Sequence, residues 1–224
     1  MDRPFTFINA AISADGKLST RERKQVRISG DRDFDRVDEL RASSDAVMVG
    51  IGTVLTDDPS LTVKSEERRK SRKAKGLDEN PARIVVDSKA RIPLDADIFF
   101  KGEGLRIIAV SNAAPFDKVQ ILRQKATVVV VGETKVDLVS LMSVLQEMGI
   151  NRLMVEGGGI LNWGLVSHYL VDEIYAFVGN ILIGGSNAPS LIDGDGFSDI
   201  QLTKLELFDS EVIEDGILLK WKVK

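Results

Sequence analysis

The sequence predicts an α/β protein built on a mostly parallel central sheet, with helices on both faces and antiparallel strands at its C-terminal edge. Three observations predict it. Short apolar runs alternate with helical patterns through the first 170 residues. Most of those runs end in glycine, serine or aspartate, the residues of tight turns. From Val171 onward the texture changes, and mainly strand-like runs remain.

Phe5 to Ile12 reads as the first strand, stopped by the turn residues Ser13-Ala14-Asp15-Gly16. Ser29 is the expected cap of a helix from Gly30 to Ala42, with Phe34, Val37 and Leu40 as its apolar stripe. Asp45 to Val49 is a short buried strand that runs into Gly50 and Gly52. Ala82 to Val86, Leu105 to Val110 and Ala126 to Val131 are three more strands, the last ending at Gly132. Asp137 is placed to cap a helix whose stripe is Leu138, Leu141, Leu145 and Met148, and Gly149 is its stop. Arg152 to Val155 leads into Glu156-Gly157-Gly158-Gly159, followed by a helix over Leu161 to Leu170. Asp172 to Val178, Lys204 to Phe208 and Ile217 to Val223 complete the strands. The expectation is a single domain over residues 1–224.

Composition narrows the chemistry. The 224 residues are 43% hydrophobic, enough for a real core. With no cysteine and one histidine, His168, the chain has no thiolate metal site, no cysteine nucleophile and little scope for a Ser-His-Asp triad. No metal ligand set is predicted, although a carboxylate Mg²⁺ site stays open. There is no signal-peptide pattern and no long apolar span, so a cytoplasmic protein free of the membrane is expected. A net charge of -4 argues against general nucleic-acid binding. Against that, residues 64–75 (KSEERRKSRKAK) hold seven basic side chains and two acidic ones, either an exposed charged loop or short helix, or a nucleic-acid or phosphate contact.

In open α/β sheets ligands bind beyond the C-terminal strand ends. Here those ends carry Ser13, Gly50-Gly52-Thr53, Asp87-Ser88, Gly132 and Glu156-Gly157-Gly158. The three glycines at 157–159, between a strand and a helix, suit close backbone approach and a phosphate at the helix start, or close strand–helix packing alone. Gly50-Ile51-Gly52-Thr53 lacks the third glycine of a Rossmann fingerprint, and no P-loop is present. Thr53 and Asp57 would share a helical face, to hold ligand hydroxyl and phosphate groups or merely to start and end a short helix. Asp15 is a ligand-binding or turn-stabilising acid, and His168 reads as structural.

Four segments carry a family likeness: NAAISADGKL (9–18), ISGDRDFDRVDELRASSDAVMVGIGTVLTDDPSLTV (28–63), NPARIVVDS (80–88) and LMVEGGGIL (153–161). Together they resemble the reductase of riboflavin biosynthesis, found alone in archaea and fungi and as the C-terminal half of the bacterial deaminase-reductase. The resemblance implies a dihydrofolate-reductase-like fold, NADPH as cofactor with NADH left open, and a homodimer. It implies cofactor contacts at Ala11, Gly52, Thr53, Asp57, Arg83, Ser88, Val131, Gly132, Val155, Glu156, Gly157 and Gly158. On the substrate side it implies Asn9, Ser29, Arg41 and Leu61, with Lys64 a basic partner for the 5′-phosphate, and Asp15 as the candidate acid. Bacterial relatives usually carry lysine where this chain has Asn9. The implied reaction is hydride transfer from NADPH to C1 of the ribose of 2,5-diamino-6-ribosylamino-4(3H)-pyrimidinone 5′-phosphate. The alternatives are the deaminated 5-amino-6-ribosylaminouracil phosphate, a pterin substrate of dihydrofolate-reductase type, or nonenzymatic nucleotide or RNA binding.

Overall fold

The computed structural model describes residues 2–24, 26–198 and 202–224. Its strands are β1 (Phe5–Ile12), β2 (Ala46–Gly50), β3 (Ala82–Val86), β4 (Arg106–Val110), β5 (Thr127–Val130), β6 (Arg152–Val155), β7 (Glu173–Val178), β8 (Leu205–Ile213) and β9 (Gly216–Val223). Its helices are α1 (Asp31–Ser43), α2 (Ile51–Asp57), α3 (Glu66–Ala74), α4 (Asp97–Phe100), α5 (Phe116–Leu122), α6 (Leu138–Glu147) and α7 (Gly159–Ser167). The architecture is the expected α/β fold, with a mostly parallel sheet, flanking helices and antiparallel C-terminal strands. The chain divides into two compact units: Met1–Pro4 with Asp38–Met154, and Phe5–Val37 with Val155–Lys224.

In the first unit the strand order is β5-β4-β3-β2-β6, and the β2–β3, β3–β4 and β4–β5 pairs are parallel. The apolar runs of β2, β3, β4 and β6 are buried because helices cover a parallel sheet on its faces, whereas β5, at the end of the order, stays partly exposed. Parallel order brings the ends at Gly50, Val86, Val110 and Val130 to one edge. Asp137 caps α6 by accepting from the N–H groups of Val139 and Ser140, at 3.0 and 3.1 Å. The left-handed Gly149 (φ 83°) ends that helix, and Ile150 N–H donates back to Leu145.

In the second unit the order is β1-β7-β9-β8, parallel at β1–β7 and antiparallel thereafter. The register sorts the β7–β9–β8 ribbon into two unlike faces. One carries Ile174, Ala176 and Val178, then Ile217, Leu219, Trp221 and Val223, then Leu205, Leu207 and Val212, with Ser210 as its polar member. The other carries Glu173, Lys220, Lys222, Glu206, Asp209 and Glu211. There Lys220 pairs with Asp209 at 2.8 Å, and Lys224 pairs with Glu206.

Four local expectations change. The residue before α1 is Gly30, whose carbonyl accepts from Phe34 N–H, so Ser29 is not the cap. Phe34 is 52% exposed, while Asp33 and Asp38 are the buried side chains of α1. They are affordable there because Arg36 pairs with Asp33 at 2.7 Å and Asp38 accepts three donors described below. Met148 is exposed at the end of α6. β8 runs on to Ile213 past a register shift between Leu207 and Asp209. The short helices α4 and α5 carried no sequence signal strong enough to place them.

Among the described residues, no helix is long and apolar enough to cross a membrane. Nor does any group of three or more His, Asp or Glu side chains lie where it could hold a metal ion.

Candidate active site

Each unit presents its own set of candidate residues. In the first, Thr53 and Asp57 lie on α2, one helical turn apart. Gly50 precedes the helix without a side-chain cap, and a Cβ built at Gly52 would meet nothing within 4 Å. That open, exposed backbone fits the approach of a dinucleotide. Burial pushes the Asp57 carboxyl above its ordinary value. Ser88 follows β3, and its Oγ accepts from Val136 N–H at 3.0 Å. Its carbonyl accepts from the Ser111 hydroxyl at 2.8 Å, so the turns after β3, β4 and β5 are stitched together. Gly132 (φ 84°) cannot be replaced there, since a Cβ would stand 2.2 Å from the Lys135 carbonyl. Val131 lies within the same turn, its carbonyl accepting from Asp137 N–H at 3.3 Å.

The same unit holds a basic pocket. Asp38 accepts from Lys64 N–H, from Ser65 N–H at 3.1 Å and from Arg68 Nη1 at 3.1 Å, fixing the segment that enters α3. Lys64 Nζ then donates to Ser60 Oγ (2.9 Å) and Thr62 Oγ1 (3.0 Å), and Arg41 Nη1 donates to the Thr62 carbonyl at 3.2 Å. Burial, and then the positive charges of Arg41 and Lys101, hold the Lys64 ammonium below its ordinary pKa. Two cations and two hydroxyls so placed make an anion site, because a phosphate relieves both the repulsion and the desolvation. Leu61 has a buried side chain at φ 53°, so what this position offers a ligand is backbone.

Arg83 is a correction. It lies at the beginning of β3, fully buried, with its guanidinium donating to the carbonyls of Lys101, Gly102 (3.1 Å) and Glu103 (3.3 Å). Burial lowers its pKa to about 10. These donors are committed to the fold, and the residue is not at a ligand-binding strand end. The basic run is a second correction, to any reading of it as a free nucleic-acid patch. Arg68 is taken by Asp38, Arg69 and Arg72 by backbone carbonyls, Lys70 by Glu66 and Lys73 by Glu79.

In the second unit, Val155 is buried at the end of β6, and Glu156 and Gly157 (φ 94°) lead through a cis Gly157–Gly158 peptide into α7. Gly158 precedes that helix with no side-chain cap, leaving the first N–H groups available to an anion. Gly159 is needed for packing, as a Cβ there would sit 2.5 Å from the Ser190 carbonyl. His168 closes α7, its Nδ1 lying 2.7 Å from the Gly164 carbonyl.

A cavity of about 400 Å³ opens beside this unit's sheet, lined by Ser29 and its neighbours 27–31, Phe177, Gly179, Asn180 and residues 214–216. Ala11 is in register with Phe177, and Asn9 with Tyr175, so both point to the face that Phe177 presents. Asn9 is buried, and its Oδ1 has no hydrogen-bond partner among the described residues. An unmet buried acceptor on the sheet face that Phe177 shares is what a ligand donor would satisfy.

Asp15 stands apart from the role expected of an acid. It accepts from the Ser13 hydroxyl at 2.6 Å and from the N–H groups of Ile183 (3.0 Å) and Gly184 (2.7 Å). Those bonds, the Ser13 hydroxyl foremost, lower its pKa to about 2. Near neutral pH it has no proton to give, and its geometry is that of an anchor for the loop after β7. No sequence signal pointed to that loop. The unmet acceptor of Asn9 and the two lysine–hydroxyl bonds were also beyond sequence reading, since each depends on partners distant along the chain.

The chain matches the family model for the RibD C-terminal domain over residues 4–219. It is 51% identical to the 2,5-diamino-6-ribosylamino-4(3H)-pyrimidinone 5′-phosphate reductase of Archaeoglobus fulgidus, over 96% of this chain and 95% of that one. It is 41% identical to the protein of the same name from Methanothermobacter thermautotrophicus, over 99% of both. Among solved structures it resembles RibD of Acinetobacter baumannii, with a TM-score of 0.81 at 23% identity, covering all of this chain and 59% of that one. The chain therefore belongs to the RibD C-terminal domain family, and it is an NADPH-dependent oxidoreductase with that family's dihydrofolate-reductase-like fold.

Proposed function

We propose that this chain, acting as one reductase domain in a cytoplasmic homodimer, reduces the ribosyl group of 2,5-diamino-6-ribosylamino-4(3H)-pyrimidinone 5′-phosphate to a ribityl group. Similarity over nearly the whole length of two reductases of that name supports the reaction class. The observation that carries the choice of the diamino compound is Asn9. Its unmet Oδ1 can accept from an amino group of the base, whereas the lysine usual in bacterial relatives can only donate, as a ring carbonyl requires.

When bound, NADPH would supply the hydride for C1 of the opened ribosyl group, and the exocyclic nitrogen bonded to C1 would take the balancing proton. The protein orients the two reactants. Thr53, Asp57, Ser88 and Gly132 of the first unit would hold the cofactor. Arg41 and Lys64 hold the 5′-phosphate. In the second unit, Ser29 and Phe177 line the cavity and Asn9 lies on the sheet face that Phe177 shares. With Asp15 ionised, the proton that opens the sugar comes from bound water, and Asp15 positions the loop at 183–184.

The homodimer has a physical motive in the apolar face of the β7–β9–β8 ribbon. Leu207 is 48% and Val212 71% exposed on a face without a charged side chain, which can meet its own copy without repulsion. Leu207→Glu is expected to give a monomer by light scattering, and a dimer in that variant would remove this surface from the interface.

The test of the function is consumption of NADPH with the diamino compound beside its deaminated analogue. Turnover of the diamino compound, with a product two hydrogens heavier, is expected. Preference for the deaminated compound would reverse the assignment of substrate, and turnover of neither would overturn the reaction.

A further inference from the structure

Helix α1 begins at Asp31, and the residue before it is Gly30, which has no side chain with which to cap it. We infer that Glu214, at the tip of the β8–β9 hairpin, is a positioning residue that caps α1 from afar and so fixes Ser29 in the wall of the cavity. The inference rests on the reading above that Ser29 lies on the substrate side.

Two observations meet at the start of α1. Glu214 Oε1 accepts from Arg32 N–H, in the first turn of the helix, at 3.3 Å. A Cβ built at Gly30 would fall on the same carboxyl group, 2.5 Å from its Cδ. The carboxylate therefore stands where the side chain of an ordinary capping residue would begin, and it serves the same kind of donor. Arg32 adds a second tie to the hairpin, its guanidinium lying 3.7 Å from Glu211 on β8.

The turn that delivers Glu214 is strained. Ile213 pairs with Gly216, so Glu214 and Asp215 are the two residues of the turn. Glu214 adopts φ 51°, a left-handed conformation that glycine, asparagine and aspartate take far more readily than glutamate. A residue held there against its preference points to a task for its side chain. Close packing holds the rest of the wall. A Cβ at Gly179 would stand 2.5 Å from the Ile28 carbonyl, and one at Gly216 would stand 2.8 Å from Phe177 Cε1. Ser29 is buried and lines the cavity between two fixed neighbours in sequence, Ile28 against Gly179 and Gly30 against Glu214.

The experiment compares the full-chain wild type with Glu214→Gly, Glu214→Gln, Gly30→Ser and the double variant Gly30→Ser/Glu214→Gly. It reads kcat and KM for the diamino compound, KM for NADPH, and the midpoint of urea unfolding. Glu214→Gly relaxes the turn as it removes the cap. It is expected to raise KM for the diamino compound roughly tenfold, while KM for NADPH and the unfolding midpoint hold. Glu214→Gln keeps an acceptor oxygen and should stay within about threefold of the wild type. Gly30→Ser sets a side chain against the carboxyl group and should raise the same KM roughly tenfold. The double variant exchanges the distant cap for a local serine cap, and should bring KM back to within about threefold of the wild type. A general loss of stability would not produce that mutual rescue. An unchanged KM in Glu214→Gly would overturn the inference, and so would a double variant no better than Gly30→Ser. A wild type that turns over neither the diamino compound nor its deaminated analogue would overturn the reading of Ser29 instead. Unfolding then decides the cap alone: Gly30→Ser should lower the midpoint in the wild type and raise it in Glu214→Gly, and a drop in both would overturn the cap as well.

Discussion

Helix α3 and the turns after β3 and β5 use positive charge in opposite ways. α3 and its flanks carry seven cations in twelve residues, the densest run in the chain, yet most of them are spent inside the molecule. Arg72 donates to the carbonyls of Ala42, Ser44 and Asp78, Arg69 to those of Val63 and Lys64, and Arg68 is held by the buried Asp38. The turns carry only Lys89, Arg91 and Lys135, and the two lysines are committed to nothing among the described residues. Charge density along a sequence therefore says little about binding. What counts is whether each donor already has its acceptor.

The contrast breaks first at Arg72. Replacing it with methionine strips donors from three carbonyls and leaves them short of partners, at a cost of roughly 3 kcal/mol in urea unfolding. Loss of affinity for nucleic acid with unchanged stability would instead make α3 a binding element. Next in size is the pocket beside α3. Arg41→Ala and Lys64→Ala are each expected to raise KM for the phosphorylated substrate about 10–100-fold, with little effect on KM for NADPH. Equal effects on both would deny the pocket its assignment to the 5′-phosphate.

The smallest effect concerns Asp15, and it follows from the sign of its pKa shift. Its carboxyl falls from an ordinary 3.8 to about 2 on folding, so the loop contacts it makes are favoured above pH 4 and lost as pH drops through 2. Between pH 5 and 8 the rate should carry no titration from this residue, and Asp15→Asn should leave the pH profile unchanged in shape. An acidic limb near neutrality that disappears in Asp15→Asn would restore it as the acid.

Much of the architecture was legible because it is local. The strands β1, β3 and β6 stand at their expected bounds, and the Asp137 cap and Gly149 stop of α6 depend only on near neighbours. The strand-end pattern of small and polar residues pointed to the edge where Thr53, Ser88 and Gly132 lie. What failed depends on partners far along the chain. Phe34 fits a helical stripe, but the buried side of α1 goes to Asp33 and Asp38, whose compensating donors lie at Arg36, Lys64, Ser65 and Arg68. Arg83 falls within a matching family segment, yet its acceptors, about twenty residues away, commit it to the fold.

The same distinction between met and unmet groups bears on the substrate, where Asn9 offers a buried acceptor without a donor. The most direct measurement is the ratio of kcat/KM for the diamino compound to that for its deaminated analogue, in the wild type and in Asn9→Lys. The account predicts a wild-type ratio well above one that falls by at least tenfold in the variant as the amide acceptor becomes a donor. A wild-type ratio at or below one, or a ratio that the substitution leaves unmoved, would contradict it.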